Sequence, residues 1–242
     1  GLASNKIKPV VAIYSSFLQR GYDQFIHDVA LQNIPMLFAI DRAGIVGADG
    51  PTHSGNFDIS FLRCIPNVIL MAPSNENECY AMLEYGYKYN GVCAVRYPRG
   101  SGMSKKVNKN LGDIKLGKSK TLFSGKKIVI LAFGPILNTC IDVANDLNAT
   151  LVDMRFIKPI DETAIIKLAK THKLIVTVED NTIHGGAGSA VLEILSKNKI
   201  VIPTLTLGIP DKFVNHGSQD EIYKQCGLDK NSIKKKIVMN FK

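Results

Sequence analysis

No apolar run in the 242 residues approaches the roughly 18 that a membrane-crossing helix needs. The first residues set Asn5, Lys6 and Lys8 beside a short apolar stretch, unlike a secretory signal. An initiator methionine is missing; a chain that starts at Gly1 suits a processed product or an excerpt of a longer protein. The five cysteines, Cys64, Cys79, Cys93, Cys140 and Cys226, form no CxxC pair. That removes the spacing zinc and thioredoxin chemistry require, and leaves buried, reduced thiols as the expectation. A complete GxGxxG is also absent. HGGAGSA at 184–190 lacks the full pattern and a ribose-binding acid in the right place, so it reads as a tight strand-to-helix turn that could face a neighbouring domain. His184, Glu179 and Asp180 beside it read as polar loop residues.

The chain is basic, with a net charge of +9 and a pI near 9.2. Its lysines and arginines are spread along the sequence, with short clusters at 104–109, 125–127 and 234–236. That scatter argues against a nucleic-acid surface, and attraction of small anionic substrates accounts for a positive field. Lys234–Lys236 reads as a solvated helix face. Hydrophobic residues make up 45% and charged residues 21%, ordinary for a globular chain with a sizeable core. The length suits one large domain or two medium ones.

Apolar β-branched runs at Val10–Ile13, Pro35–Ile40, Val68–Met71 and Cys93–Tyr97 predict buried strands. Between the first two, Tyr22, Phe25, Ile26, Val29 and Ala30 recur at helical spacing. Ser74 reads as the cap of a helix running to about Tyr89, with Glu76 near its positive end. Gly100–Lys127 is polar and glycine-bearing and reads as a linker, with a short strand near Ile114–Ser119 belonging to either side. The alternation then resumes. Strands are predicted at 128–132, 150–153, 174–178 and 201–207, and helices at 137–147, after Asp161 and after the GGAGS turn. Strands alternating with helices predict two α/β domains with mainly parallel sheets, 1–110 and 120–242, the second an independent unit.

A long polar, glycine-rich loop, DRAGIVGADGPTHSGNFD at 41–58, leaves the carboxyl end of a predicted strand, where open α/β sheets bind ligands. Tyr14 and Arg99 leave two other strand ends, so Tyr14, Arg42, Asp49, His53 and Arg99 could share one region. Two converging arginines suit a phosphate or carboxylate; alternatively either arginine pairs with Asp41 or Asp58 and holds the loop. His53 lies among Gly50, Pro51, Thr52, Ser54 and Gly55 rather than on an apolar helix face, which suits proton transfer. Asp49, His53 and Asp58 match no metal-ligand spacing, so no metal site is expected within the chain.

Six stretches, YSSFLQRGYDQFIHDVALQ, LFAIDRAGIVGADGPTHSGNFD, LRCIPNVILMAPSNENEC, AVRYPRG, LVDMRFIKP and GGAGSAV, occur in order over nearly the whole chain. Together they resemble the 1-deoxy-D-xylulose-5-phosphate synthases of the transketolase-like, thiamin-diphosphate-dependent superfamily. The resemblance implies the last part of a pyrimidine-binding domain followed by a transketolase C-terminal domain. It implies a reaction that condenses pyruvate, with loss of carbon dioxide, and D-glyceraldehyde 3-phosphate to 1-deoxy-D-xylulose 5-phosphate, feeding isoprenoid, thiamin and pyridoxal biosynthesis. It also implies thiamin diphosphate with Mg2+ as cofactors, a homodimer, and a bacterial-type cytoplasmic or a plastid location. By matching motif, Phe17 would pack on the cofactor's aminopyrimidine ring, with Arg20 near it. Tyr14, Arg42 and Arg99 would hold the acceptor's phosphate, and Asp49 and His53 would meet the reacting groups, His53 as proton carrier.

The same resemblance puts the activating glutamate and the metal- and diphosphate-binding motifs upstream of the stretch matching Gly1. An isolated chain is therefore expected to bind the cofactor poorly and to need an N-terminal cofactor-binding region as partner. Two other readings stand beside this one: the β subunit of a 2-oxo acid dehydrogenase, and a non-catalytic assembly module.

Overall fold

The structure, a computed structural model, describes residues 1–100 and 114–241. Residues 101–113 of the linker read from the sequence, with the basic cluster at 104–109, lie outside the described residues.

The first half opens with strand β1 (Val10–Tyr14). A continuous helical run follows: α1 (Ser15–Leu18), a 3-10 turn (Gln19–Gly21), α2 (Tyr22–Gln24) and a π-helical segment (Phe25–Ala30). Of its predicted apolar face, Phe25, Val29 and Ala30 are buried, with Phe25 against Phe38 at 4.6 Å between ring centroids. Next come β2 (Met36–Asp41), α3 (Asp58–Leu62), β3 (Val68–Met71), α4 (Glu76–Lys88) and β4 (Val92–Arg96). The second half holds β5 (Lys120–Phe123), β6 (Ile128–Phe133), α5 (Leu137–Leu147), β7 (Thr150–Asp153) and β8 (Phe156–Lys158). It continues through α6 (Glu162–Thr171), β9 (Leu174–Thr182), α7 (Ala187–Lys197), β10 (Thr204–Ile209), α8 (Gln219–Cys226) and α9 (Lys230–Asn240).

Two five-stranded sheets result, ordered β1-β2-β4-β3-β8 and β10-β9-β6-β7-β5. Within each, four strands are parallel and one edge strand is antiparallel, β8 on β3 and β5 on β7. The predicted α/β class with mainly parallel sheets is therefore what the chain adopts. Central strands β3, β4 and β6 are buried throughout, as parallel strands covered on both faces must be.

Several local expectations change. β1 is an edge strand with Val10 exposed, so its apolar character does not make it a buried one. The cap of α4 is Asn75, whose side chain accepts the Glu78 N–H. Ser74 instead donates its hydroxyl to Asp153 in the second half, at 2.7 Å. The strand expected near 114–119 forms at 120–123 and belongs to the second sheet. The last strand starts at Thr204 rather than at Val201, which is 99% exposed. Three cysteines are buried as expected, Cys79 is partly so, and Cys64 is exposed. The run Lys234–Lys236 is less free than a solvated face: Lys234 pairs with Asp146 at 2.9 Å, and Lys236 donates to the carbonyls of Cys226 and Gly227, the C-terminus of α8.

The halves are not independent. β8, a strand of the second half, closes the edge of the first sheet through Leu70↔Lys158 and Met71↔Phe156. One apolar cluster joins Phe38, Ile59 and Leu70 of the first half to Leu131, Phe133 and Val191 of the second.

The interface also buries Asp153, which accepts hydrogen bonds from Ser74 and from the Arg155 N–H. Burial pushes its carboxyl up to about 6, against the opposing pull of the Ser74 hydrogen bond. The folded state thus holds a proton there more tightly than the unfolded state. The stability this proton confers is present below about pH 4 and is lost as pH rises through 6. Asp153→Asn should remove that loss. Its free energy of unfolding is expected to exceed the parent's by about 1–3 kcal/mol at pH 8 and by little at pH 4, measured by denaturant titration at both.

Candidate active site

The polar insertion begins at the carboxyl end of β2 and is closed at its neck by a two-way backbone bridge. Gly44 donates to the Gly55 carbonyl at 2.7 Å, and Gly55 donates to the Gly44 carbonyl at 2.9 Å. No side chain fits at Gly55, where a Cβ would run into the Arg42 carbonyl and the Ala43 backbone. Arg42 stands just before this neck in a left-handed conformation, φ 56°. Asp41 holds it there, accepting the Arg42 backbone N–H at 2.6 Å and its guanidinium Nη1 at 2.5 Å.

From Arg42 the contacts run outward in two directions. Its guanidinium lies 3.8 Å from the centroid of the Tyr14 ring, a cation–π contact at the end of β1. Tyr14 stacks on Phe17 at 4.9 Å and 14°, and the Phe17 ring meets His53 edge-on at 5.6 Å and 67°. In the other direction Asp49 bridges the two arginines, 3.5 Å from Arg42 Nε and 3.0 Å from Arg99 Nη1. Tyr14, Phe17, Arg42, Asp49, His53 and Arg99, from three strand ends and one loop, therefore form one connected cluster. Arg20 stays apart, exposed on its 3-10 turn, with no ion pair or hydrogen bond to the cluster.

Each half of this cluster has a distinct chemistry. Phe17 is 48% exposed, an open aromatic ledge beside an imidazole. Thr52 Oγ1 sits 3.0 Å from His53 Nδ1 and fixes the ring, while Nε2 has no partner among the described residues. The arginine half is a pair of forks closed on a carboxylate, suited to an oxyanion that takes over from Asp49. Arg42 Nε is buried and makes no hydrogen bond among the described residues, so the pair holds unused donor capacity. The loop-holding role read from the sequence is also realised, for Arg42 with Asp41. A cleft of about 470 Å³ opens beside Arg99, between Ser74, Tyr97, Asn138 and Tyr223.

Asp58 goes elsewhere. It is fully buried and accepts Arg96 Nε at 2.9 Å, while Arg96 Nη1 donates to Asp180 at 2.6 Å. The two carboxylates keep the Arg96 guanidinium protonated, and burial raises the Asp58 carboxyl above its ordinary value. Asp180 and Glu179 are thus buried residues of β9 rather than loop polar groups. Glu179 accepts the Ala187 and Gly188 N–H groups at the start of α7, and burial pushes it up to about 8. His184 is exposed as expected, and its carbonyl takes the Ser60 hydroxyl, so the glycine turn does face the first half. The one available sequence signal for the triad was a charge, Arg96, at the end of an otherwise apolar strand.

The distal part of the loop rests on the second half. Ile45 belongs to the apolar cluster of Leu207, Ile209, Val214 and Ile222. Gly50, at φ 73°, lies so close to the His216 imidazole that a Cβ would collide with the ring.

Comparison with known proteins speaks to the family and the fold. The family described as "Transketolase, pyrimidine binding domain" matches residues 1–104, and "Transketolase, C-terminal domain" matches residues 117–233. Curated relatives named 1-deoxy-D-xylulose-5-phosphate synthase include those of Aeromonas hydrophila, 59% identical, and Vibrio parahaemolyticus, 53% identical, each over 98% of this chain. The chain spans 38% of the length of either. Among solved structures, a split-gene transketolase described as an inactive β4 tetramer superposes with a TM-score of 0.86 at 23% identity, over 99% of this chain and 78% of that one. A transketolase from Campylobacter jejuni superposes with a TM-score of 0.74 at 18% identity, over 96% of this chain and 36% of that one. At these identities the two structures speak to the fold alone.

Proposed function

The chain belongs to the transketolase family, and from that premise we propose that it is the pyrimidine-binding and C-terminal part of a 1-deoxy-D-xylulose-5-phosphate synthase. Its two domains are assigned to 1–110 and 120–242. The single observation that carries the reading is the joining of an aromatic ledge, an imidazole and an arginine pair in one cluster.

The cofactor is thiamin diphosphate, which when bound supplies the carbanion chemistry that decarboxylates pyruvate. Its ring end fits what is present: Phe17 offers an exposed aromatic face, backed by Tyr14. Its metal-bound diphosphate end has no counterpart here, since no group of three His, Cys, Asp or Glu among the described residues could hold a cation. The chain therefore supplies part of a cofactor site, and a region lying outside it, on the same or another polypeptide, supplies Mg2+ and diphosphate ligands. The complete enzyme works as a homodimer in a bacterial-type cytoplasm.

The residues divide the work. Arg42 and Arg99 release Asp49 and take the phosphate of D-glyceraldehyde 3-phosphate, with Tyr14 holding the Arg42 guanidinium in place. His53 carries the proton to or from the acceptor's carbonyl oxygen, and the freed Asp49 is left near the reacting groups. The relatives' shared name and the phosphate-suited arginine pair favour a sugar-phosphate acceptor over lipoamide.

Purified alone and given thiamin diphosphate, Mg2+, pyruvate and glyceraldehyde 3-phosphate, the chain should form no product above background. Co-expression with the N-terminal part of the Aeromonas hydrophila relative should restore turnover. Robust product from the chain alone, or none from the assembled protein, would sink this reading.

A further inference from the structure

The second half carries none of the residues assigned to chemistry, yet its α8 start touches both arginine-bearing segments. Gln219, the first residue of α8, donates Nε2 to the Ile45 carbonyl at 2.7 Å and to the Arg99 carbonyl at 3.3 Å. Ile45 lies three residues beyond Arg42, and Arg99 is the other arm of the pair. One amide thus ties together the two backbones whose side chains meet on Asp49.

The helix that presents this amide is itself firmly set. Ser218 caps it reciprocally with Glu221: the Ser218 hydroxyl accepts the Glu221 N–H, and the Glu221 carboxylate accepts the Ser218 N–H at 2.9 Å. Ile222, one turn on, is buried in the same cluster as Ile45. Gly47 of the loop is held against the same helix start, where an added Cβ would stand 3.1 Å from both the Gln219 nitrogen and the Gly217 carbonyl oxygen. The loop has other holds, the Gly44–Gly55 bridge and Asp41 at its neck and the packing of Ile45 and Gly50 on the second half, but the Gln219 amide is bonded to the Ile45 and Arg99 backbones at once.

We infer that Gln219 is the positioning residue of the arginine pair, fixing the separation of Arg42 and Arg99 and so the fit of the acceptor's phosphate. This rests on the phosphate role given to those arginines above. Gln219 bonds the carbonyls of Ile45 and Arg99 rather than either guanidinium, and acts through these backbones. A shift of about 1 Å between the two forks would break two-point recognition of one phosphate.

Gln219→Met keeps length and volume and removes the donor, while Gln225→Met, on the exposed side of the same helix, is the control. The first measurement is amide hydrogen exchange of the chain alone. Exchange over 45–53 is expected to rise by about tenfold in Gln219→Met and to stay unchanged in the control, for one lost hydrogen bond. The second uses the assembled enzyme. KM for glyceraldehyde 3-phosphate should rise by about tenfold, with kcat and KM for pyruvate within twofold and with unphosphorylated D-glyceraldehyde used as before. Unchanged loop exchange overturns the inference whatever the kinetics show. Equal loss with both acceptors overturns it too, since a general loosening would not single out the phosphate. If the unsubstituted assembly makes no product at all, it is the functional reading that fails, and the exchange result still decides whether Gln219 sets the loop.

Discussion

Replacing Arg96 by methionine is expected to lower the stability of the chain by about 3–5 kcal/mol, a large part of what a domain of this size has. The reason is what remains. Asp58 and Asp180 are each about 1% exposed or less, and both lose the only cationic partner they have among the described residues. Asp58 keeps the Ile59 N–H at 3.0 Å, which is too little to hold a buried carboxylate. Urea unfolding of the parent and Arg96→Met chains at pH 8 measures the loss. Lowering the pH supplies a second reading with a definite sign. Burial already raises the Asp58 carboxyl against the opposing pull of Arg96, so in the variant Asp58 takes up a proton in the folded state more readily than in the unfolded state. The deficit should therefore shrink as pH falls from 8 to 5. A deficit under about 1 kcal/mol, or one that grows on acidification, would show that the triad carries little. Removing all three charges together is a different experiment, because apolar replacement of a whole buried set is often neutral.

In the assembled enzyme, His53→Ala should lower kcat by about 10²–10⁴-fold, the range for loss of a positioned proton carrier. Stability should move by no more than about 0.5 kcal/mol, since His53 is only partly buried and its contacts are Thr52 and the edge of Phe17. The contrast with Arg96 is the point of the pair. One residue is buried, bridges both halves and touches nothing that reacts, whereas the other is accessible and supports little of the fold. His53→Gln tests the role more finely, because an amide can hydrogen-bond an oxygen but cannot carry a proton. Its kcat should stay close to that of His53→Ala. A kcat within threefold of the parent in either variant would assign proton transfer elsewhere.

Much of this architecture is legible in the sequence because local patterns carry it. Val68–Met71 and Ile128–Ala132 are apolar runs too short for helices, and both became central strands. Asp161 and the following Ile165 and Ala169 predicted a capped, one-sided helix, and the Asp161 side chain does accept the Ala164 N–H. The candidate cluster was legible for another reason: glycine, histidine and arginine crowd one long loop at a strand end, where packing alone gives them no purpose.

What the sequence hid depends on partners far away along the chain. Asp58 is 38 residues from Arg96, and Arg96 is 84 from Asp180, so nothing local distinguishes them from surface charges. Phe156–Lys158 is only three residues long, below the length at which alternation signals a strand, and its pairing with β3 exists only once both halves are folded. Ser74 and Asn75 are both good helix caps, and the choice between them was made by Asp153, which claims Ser74 from across the interface. Gln219 has no marker of any kind, being one more polar residue at a helix start.

The short strand β8 has a mechanical meaning. It is held by β3, β3 is held by β4, and β4 runs directly into Arg99. Its other end leads through Pro159 to α6 in the second half. The second half is therefore connected across two strand pairs to the segment that bears an arm of the arginine pair. The two halves thus share one sheet edge, and the segment bearing Arg99 is tied to the second half by strand pairing as well as by Gln219.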